Sequence, residues 1–291
     1  MALINGKKYK ESIKKLRPNI YKWGKLISDV TENKSTRLHI QSVQHSYDAA
    51  FDENEKHVYT HVSALTNKPA HRWNTLMQSA EDIIAQCHMK RAQFQYSGTC
   101  QGATCVGWSA LNALWAVTHE IDNEYKTEYH QVIREYFKYI EENAFAVAGA
   151  LTDAKGNRSV KPLEQKNADS FLRIVKKTKD GIIVSGCKAQ ICGVAASHEI
   201  LCLPGGVYDE TEKDYAVAFA VPRDAEGLTI VETRRPSDTR DEETGWDSPK
   251  IGNITQAFLL FENVFVPNSR IFISGEYKYT SRFIEYFSSI Y

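Results

Sequence analysis

EYHQVIREYFKYIEENAFAVAGALTDAKGNRS, residues 128–159, sets two structural periods back to back. Val132, Ile133, Tyr136, Phe137 and Ile140 recur at helical spacing with Glu and Lys opposite them, which predicts a core-facing helix over 128–144. GALTDAKGNRS, residues 149–159, then gathers Gly, Asp, Asn and Ser and breaks that pattern. Upstream, apolar-periodic stretches at 9–30, 38–50, 74–93 and 106–121 predict more helices. Downstream the period shortens. Residues 171–176, 181–189, 199–203, 215–221, 228–232 and 257–266 are short β-branched or aromatic runs, punctuated by turns such as LPGG. Residues 237–251, charged and containing Gly and Pro, read as an exposed excursion among them. The switch assigns an α+β chain: an N-terminal helical domain over 1–148 and a middle antiparallel β-barrel or sandwich over 149–275. From Tyr277 the chain turns helical again, and Phe283, Ile284, Phe287 and Ile290 form an apolar stripe. Residues 276–291 are therefore read as the start of a truncated C-terminal helix that packs on a further domain or another chain, the alternative being a last helix folded back on its own body.

Composition bounds the function classes. At 291 residues and 33.0 kDa the chain exceeds the usual size of one core, which fits two domains sharing an interface. Its 42% hydrophobic and 25% charged residues, with 15 Tyr and 12 Phe, furnish a sizeable core and exclude a disordered chain. Lys plus Arg equals Asp plus Glu at 36 each, so no net field draws it to nucleic acid or to an anionic membrane. No stretch approaches the roughly 18 apolar residues of a membrane span. The start, MALINGKKYKESIKKL, lacks the apolar core of a secretory signal, and a cytoplasmic location is expected. In such a chain Cys87, Cys100, Cys105, Cys187, Cys192 and Cys202 read as thiols or metal ligands rather than as a disulfide framework.

Three places carry candidate chemistry. The loop at 149–159 sets Thr152, Asp153, Lys155 and Arg158 beside glycines. It can offer backbone N–H groups and a cation to an anionic cofactor, or it can be a solvated turn. Cys100 and Cys105, in YSGTCQGATCVG ahead of a strong helix, are separated by four residues on a Gly-containing loop. Both thiolates can face one metal there, and soft sulfur suits zinc or an iron–sulfur cluster, although zinc knuckles usually have a shorter gap. Cys187 and Cys192 repeat that spacing in a strand and the turn after it. Cys187 alternates inward as a small buried thiol, and Cys192 is left open. His198 and Glu199, in AASHEIL at the entry to a strand, form either a proton-handling pair or a hydrogen-bonded surface His with its neighbour.

In combination, CVGWSALNA, EIDNEYKTEYH, ALTDAKGNR, GIIVSGCKAQICG with ASHE, and FENVFVPNSRIF resemble one family in their order and across nearly the whole chain. It is the 4-hydroxybutyryl-CoA dehydratase and vinylacetyl-CoA isomerase branch of the 4-hydroxyphenylacetate 3-hydroxylase family. The resemblance implies an acyl-CoA-dehydrogenase-like fold whose C-terminal helical bundle begins near Tyr277, with FAD between the middle and C-terminal domains beside an oligomer partner. It implies FAD contacts from Arg91, Thr152, Asp153, Lys155 and Arg158, with Cys192 where the dehydratases carry a Thr close to flavin. It also implies a possible 4Fe-4S cluster, for which Cys100 and Cys105 match two ligands, though the gap here is four residues where the family has three. The family's His ligand falls on Tyr291, and its last Cys lies beyond the end. A catalytic Glu of the dehydratases aligns with Gln256, which cannot take a proton as a carboxylate does.

By the same resemblance the activity implied is that of a flavin-dependent enzyme acting on a short hydroxyacyl- or enoyl-CoA, as a homo-oligomer or with a separate C-terminal helical subunit. The other branch of the family hydroxylates aromatic substrates with reduced flavin, and its Arg, Tyr and His around the phenol align with Val106, Ala110 and Gly149. None of these can orient or deprotonate a phenol. A third reading is a truncated, non-catalytic paralogue, favoured by Gln256 and Tyr291.

Overall fold

The structure, a computed structural model, describes residues 3–98, 103–233 and 254–290. The chain opens with α1 (Gly6–Lys14), β1 (Ile20–Lys22), β2 (Lys25–Leu26) and α2 (Arg37–Asp48). Next come α3 (Lys56–Tyr59), β3 (Thr60–Val62), β4 (Pro69–His71), α4 (Ala80–Ser97), α5 (Ala103–Tyr125) and α6 (Tyr129–Glu142). The second half supplies β5 (Val147–Ala150), β6 (Arg173–Lys177), β7 (Gly181–Cys192), β8 (Glu199–Cys202), β9 (Val217–Pro222), β10 (Leu228–Thr233), β11 (Gln256–Pro267) and β12 (Ile271–Ser274) before α7 (Thr280–Ile290).

The helix expected over residues 9–30 stops at Lys14. Pro18 disfavours helical backbone at Arg17, and Trp23 and Gly24, with φ of 52° and 73°, close a two-residue hairpin between β1 and β2. The chain's first thirty residues thus contribute an edge to the main sheet. α4 keeps its boundaries for local reasons: a Ser79–Asp82 capping box opens it and Gly98 at φ 68° ends it.

Ten of these strands form a sandwich of two open sheets, and β3 and β4 pair with each other as a separate antiparallel hairpin. One sheet of the sandwich has the order β2-β1-β10-β11-β7-β6 and the other β12-β9-β8-β5. Most pairings are antiparallel as expected, but β1–β10 and β5–β8 are parallel. Long crossovers separate those partners in sequence, and such connections permit parallel pairing.

Burial patterns give the layer order. Along β9 every position is buried or nearly so: Val217, Phe219 and Val221 enter the core between the sheets, while Ala218 and Ala220 face the core shared with α5, α6 and α7. Along β11 exposed and buried residues alternate, so the six-stranded sheet covers the core with one face and leaves the other outward. α1 and α2 close the inter-sheet core at one side, where Tyr9 stacks on Tyr47 at 4.4 Å and donates its hydroxyl to the Ala196 carbonyl at 2.6 Å. The apolar stripe of α7 finds its partner in α5, with Phe283 and Phe287 buried in the helical core.

α5 lies hard against β5. A Cβ at Gly107 would come within 2.1 Å of the Val147 carbonyl oxygen, and one at Gly149 within 2.4 Å of Val106 Cγ1. The start of α5 is thereby fixed beside the end of β5, from which the loop at 151–158 departs.

Candidate functional site

Past the point where β6 stops pairing, the free side of β7 is taken up by the loop after β5. Ala189 N donates to the Thr152 carbonyl at 2.8 Å, and Asp153 bridges to Lys188. Lys188 is buried, because the strand alternation that places Val184 inward also turns this lysine inward. Its ammonium is held by Asp153 Oδ1 at 2.7 Å and by the carbonyls of Leu151 and Leu203 at 2.9 and 2.8 Å. Asp153 Oδ1 also accepts from Leu172 N, while Oδ2 has no protein partner. Gly205 passes so close that a Cβ there would meet Asp153 Oδ2 at 2.1 Å. One lysine thus ties the loop, β7 and the LPGG turn together. Cys187 beside this pair is pushed up to about 11 by burial and by Asp153, and burial raises Cys202 as well, so both stay thiols.

Beyond Asp153 the loop is internally braced. Lys155 and Gly156 adopt positive φ of 70° and 46°. The amides of Lys155, Gly156 and Asn157 donate to Ser170 O, Ala154 O and Gln165 Oε1. The backbone N–H groups expected to serve an anion are therefore used within the protein. What the loop turns outward is side chains, with Arg158 exposed and Lys155 half-buried.

The last turn of β7 meets the start of β11. Cys192 and Gln256 are paired in register, with the Gln256 amide nitrogen 3.9 Å from Cys192 Sγ. Gln190, exposed at φ 57°, marks a register shift between them and Lys188. Such a bulge re-aims side chains at the end of a strand. From Gln256 the outward positions run to Phe258 and Leu260. Across the ladder Phe258 pairs with Val231, Val231 with Tyr21, and Tyr21 with Leu26. Phe258, Leu260, Tyr21 and Leu26 are 36%, 38%, 36% and 47% exposed, so a row of large apolar groups lies open across this face. The outcome is an apolar platform edged by a thiol, a carboxamide and a braced loop.

The structure brings together Thr152, Asp153, Cys192 and Gln256 around one end of β7, with Lys155 and Arg158 in the adjoining loop. It sets other candidates apart. Arg91 is exposed on α4, and among the described residues no hydrogen bond ties it to the loop. His198 is not the surface histidine that one of the two readings expected: its ring is buried, stacked on Phe145 at 4.6 Å. Its Nδ1 accepts from Ala146 N at 3.0 Å and its Nε2 lies 2.8 Å from Ser12 Oγ. Burial, with the Arg223 charge, lowers it to about 3, so it is a neutral packing group. Glu199 does not share its proton chemistry, because its carboxylate binds Arg270 at 2.5 Å and Tyr136 at 3.2 Å. Cys105 is buried in the first turn of α5, clustered with Tyr59, Trp73 and Met89. Cys100, Tyr291 and the excursion at 237–251 lie outside the described residues. Among the described residues no group of three or more His, Cys, Asp or Glu gathers for a metal ion, and no helix is long and apolar enough to cross a membrane. Sequence reasoning missed Lys188, because turning Cys187 inward by strand alternation sends its neighbour outward, whereas the structure turns Lys188 into the interior. It also missed Gln165 and Gln190, whose parts depend on loop geometry.

This sandwich with its helical layer belongs to a known class. A family profile described as 4-hydroxyphenylacetate 3-hydroxylase N terminal matches residues 5–273, and the chain belongs to that family. Within it, the chain is 40% identical over 290 residues to the 4-hydroxybutyryl-CoA dehydratase/vinylacetyl-CoA-Δ-isomerase of Clostridium aminobutyricum, covering 98% of this chain and 59% of that protein. It is 27% identical to the oxygenase component of 4-hydroxyphenylacetate 3-monooxygenase from a Geobacillus species, covering 97% of this chain and 57% of that one. Among solved structures, an oxygen-tolerant archaeal 4-hydroxybutyryl-CoA dehydratase from N. maritimus superposes with a TM-score of 0.92 at 33% identity, covering 99% of this chain and 57% of the other. The oxygenase component HpaB, solved with FAD, shares the fold at a TM-score of 0.81 and 23% identity. The chain therefore spans somewhat more than half the length of the relatives it matches.

Proposed function

We propose that this chain supplies the flavin-facing half of an enzyme that dehydrates or isomerises a short hydroxyacyl- or enoyl-CoA. The observation that carries the reading is the meeting of Cys192 and Gln256 at the rim of an apolar sheet face, with the loop of Thr152 and Asp153 paired along the adjoining stretch of β7, in a chain 40% identical to a dehydratase of that kind. The platform suits the flat apolar body of a flavin, and Lys155 and Arg158 suit its anionic parts. When bound, FAD would supply the redox chemistry that makes a poorly acidic C–H removable. The residues present serve it by holding: Lys188 fixes the loop through Asp153, and Gln256 donates or accepts a hydrogen bond but takes no proton. Cys100 and Cys105 are the candidate donors for a cluster. Cys105 is buried and no group of three or more His, Cys, Asp or Glu gathers among the described residues, so no step is assigned to a cluster.

The open apolar row would be covered by a helical polypeptide equivalent to the part of the relatives that this chain does not span, or by an oligomer partner carrying it. The hydroxylase reading is weaker. The positions aligned with its phenol-binding Arg and His, Val106 and Gly149, are packed against each other with no polar atom between their side chains.

The test is anaerobic purification of the chain, alone and co-expressed with such a helical partner, then absorption spectra, iron and sulfide analysis, and turnover of 4-hydroxybutyryl-CoA. Flavin bands with thioester turnover are expected in the complex. Flavin with phenol hydroxylation instead would move the chain to the other branch. A colourless, inactive complex would leave a non-catalytic paralogue.

A further inference from the structure

At the end of β7 away from the Cys192–Gln256 rim, a cavity of about 280 Å³ opens where the β6–β7 turn, the start of α6 and β12 meet. β7 runs from Gly181 at this cavity to Cys192 at the rim, a span of roughly 36 Å at the rise of an extended strand. A molecule held in the cavity therefore cannot touch the rim. Its volume falls at the lower edge of the range of small-molecule sites, which suits a small metabolite and not a dinucleotide.

The floor is apolar, made by Val132, Ile182, Ile271 and the Tyr129 ring. The walls are braced by the protein's own hydrogen bonds. Asn268 donates its backbone and side-chain N–H groups to the carbonyls of Asp180 and Lys179 at 3.0 and 2.8 Å, which joins the β6–β7 turn to the turn after β11. Lys177 Nζ donates to the Ser274 carbonyl at 2.5 Å and so bridges β6 of one sheet to β12 of the other. Glu276 accepts from the Tyr129 hydroxyl at 3.3 Å and from Ser274 N at 2.6 Å, which occupies its carboxylate.

Two charges of the lining have no such employment as charges. Lys177 meets only a neutral carbonyl, and Glu128, the residue before α6, makes no side-chain capping bond because Asp122 already accepts from the Tyr129 and His130 amides. Both side chains are exposed, they form no salt bridge with each other, and among the described residues neither pairs with another ionised group. One cavity thus sets a cation and an anion apart above an apolar floor.

We propose that this cavity binds a free α-amino acid with an apolar side chain. Lys177 takes the α-carboxylate, Glu128 takes the α-ammonium, and the side chain lies on Val132, Ile182 and Ile271. A zwitterion pairs both charges at once, whereas a plain carboxylate sets a like charge near Glu128 and a plain amine sets one near Lys177. The site goes beyond the flavin reading and does not depend on it.

The experiment is calorimetric titration of the full chain with L-leucine and with three probes that each lack one part of it: 4-methylpentanoate without the ammonium, 3-methylbutylamine without the carboxylate, and glycine without the side chain. Leucine should bind several-fold more tightly than any of the three. Lys177→Gln and Glu128→Gln, verified as folded by circular dichroism, should each weaken leucine roughly threefold or more, the scale of partly exposed charge-assisted contacts. The probe series tests the same contacts with the protein unaltered. Absent leucine binding, any of the three probes binding as tightly as leucine, or either variant binding leucine as the wild type does would overturn the proposal.

Discussion

Replacing Lys188 with Met tests whether one buried ion pair organises the candidate site. The ammonium has three acceptors within 2.9 Å, Asp153 Oδ1 and the carbonyls of Leu151 and Leu203, and both charged side chains are almost wholly buried. Met preserves the stem's packing and removes the charge, so Asp153 is left ionised in an apolar interior with only the Leu172 amide to receive it. Breaking a buried pair by deleting one partner costs about 3–5 kcal/mol. Replacing both partners with apolar groups of similar volume costs far less. The double variant Asp153→Leu with Lys188→Met should therefore recover most of the loss, giving a coupling energy of roughly 2 kcal/mol or more in a double-mutant cycle. Urea unfolding of the wild type, both single variants and the double variant measures it. A second readout is flavin affinity, which should fall in the refolded double variant because the loop has lost its tie to β7. If Lys188→Met costs under about 1 kcal/mol, or the two losses simply add, the pair is not the anchor described here.

Acid should unfold the chain earlier than its neutral charge balance suggests. Burial holds His198 at about 3 and His61 and His71 at about 4, so between those values and 6.5 the folded chain binds fewer protons than the unfolded one. The contribution of these histidines is complete above pH 6.5 and is lost as pH falls toward 4. Each histidine adds a slope of about 1.4 kcal/mol per pH unit, and His198→Gln should remove one such increment in urea melts between pH 6 and 4.5. Glu232 runs the other way: burial raises it to about 8, so the folded carboxyl keeps its proton and stability declines as pH rises from 4.5 to 8. Glu232→Gln should flatten that decline, and an unchanged alkaline limb would refute the assignment. Gly107→Ala, which at an open helical position would gain about 1 kcal/mol, should instead lose ~1–3 kcal/mol because its Cβ would press on the Val147 carbonyl. A neutral thermal shift would mean that α5 and β5 are less tightly apposed than they stand.

Much of this architecture was legible from periodicity. The 3.6-residue stripe of α6 and the alternation along β11 each describe a surface buried on one side, and one-sided burial leaves its mark on the sequence. The stretch at 9–30 was misread because its apolar residues serve a nine-residue helix and then a strand that joins β10 from some two hundred residues away. No local window carries that partner. The parallel pairings are of the same kind, since they depend on where a crossover returns and not on the residues paired.

The sequence by itself determined the period switch at residue 150, the absence of a net field, the loop with its cations, and, through resemblance, the family. Tertiary structure alone decided which candidates share a surface. It drew Cys192 and Gln256 together through sheet register, assigned Asp153 to a buried lysine, turned the loop's amides inward, and enclosed His198 as a neutral ring. The physical reason is that hydrogen-bond satisfaction and desolvation are settled between segments distant in the chain, whereas hydrophobic periodicity is settled within one.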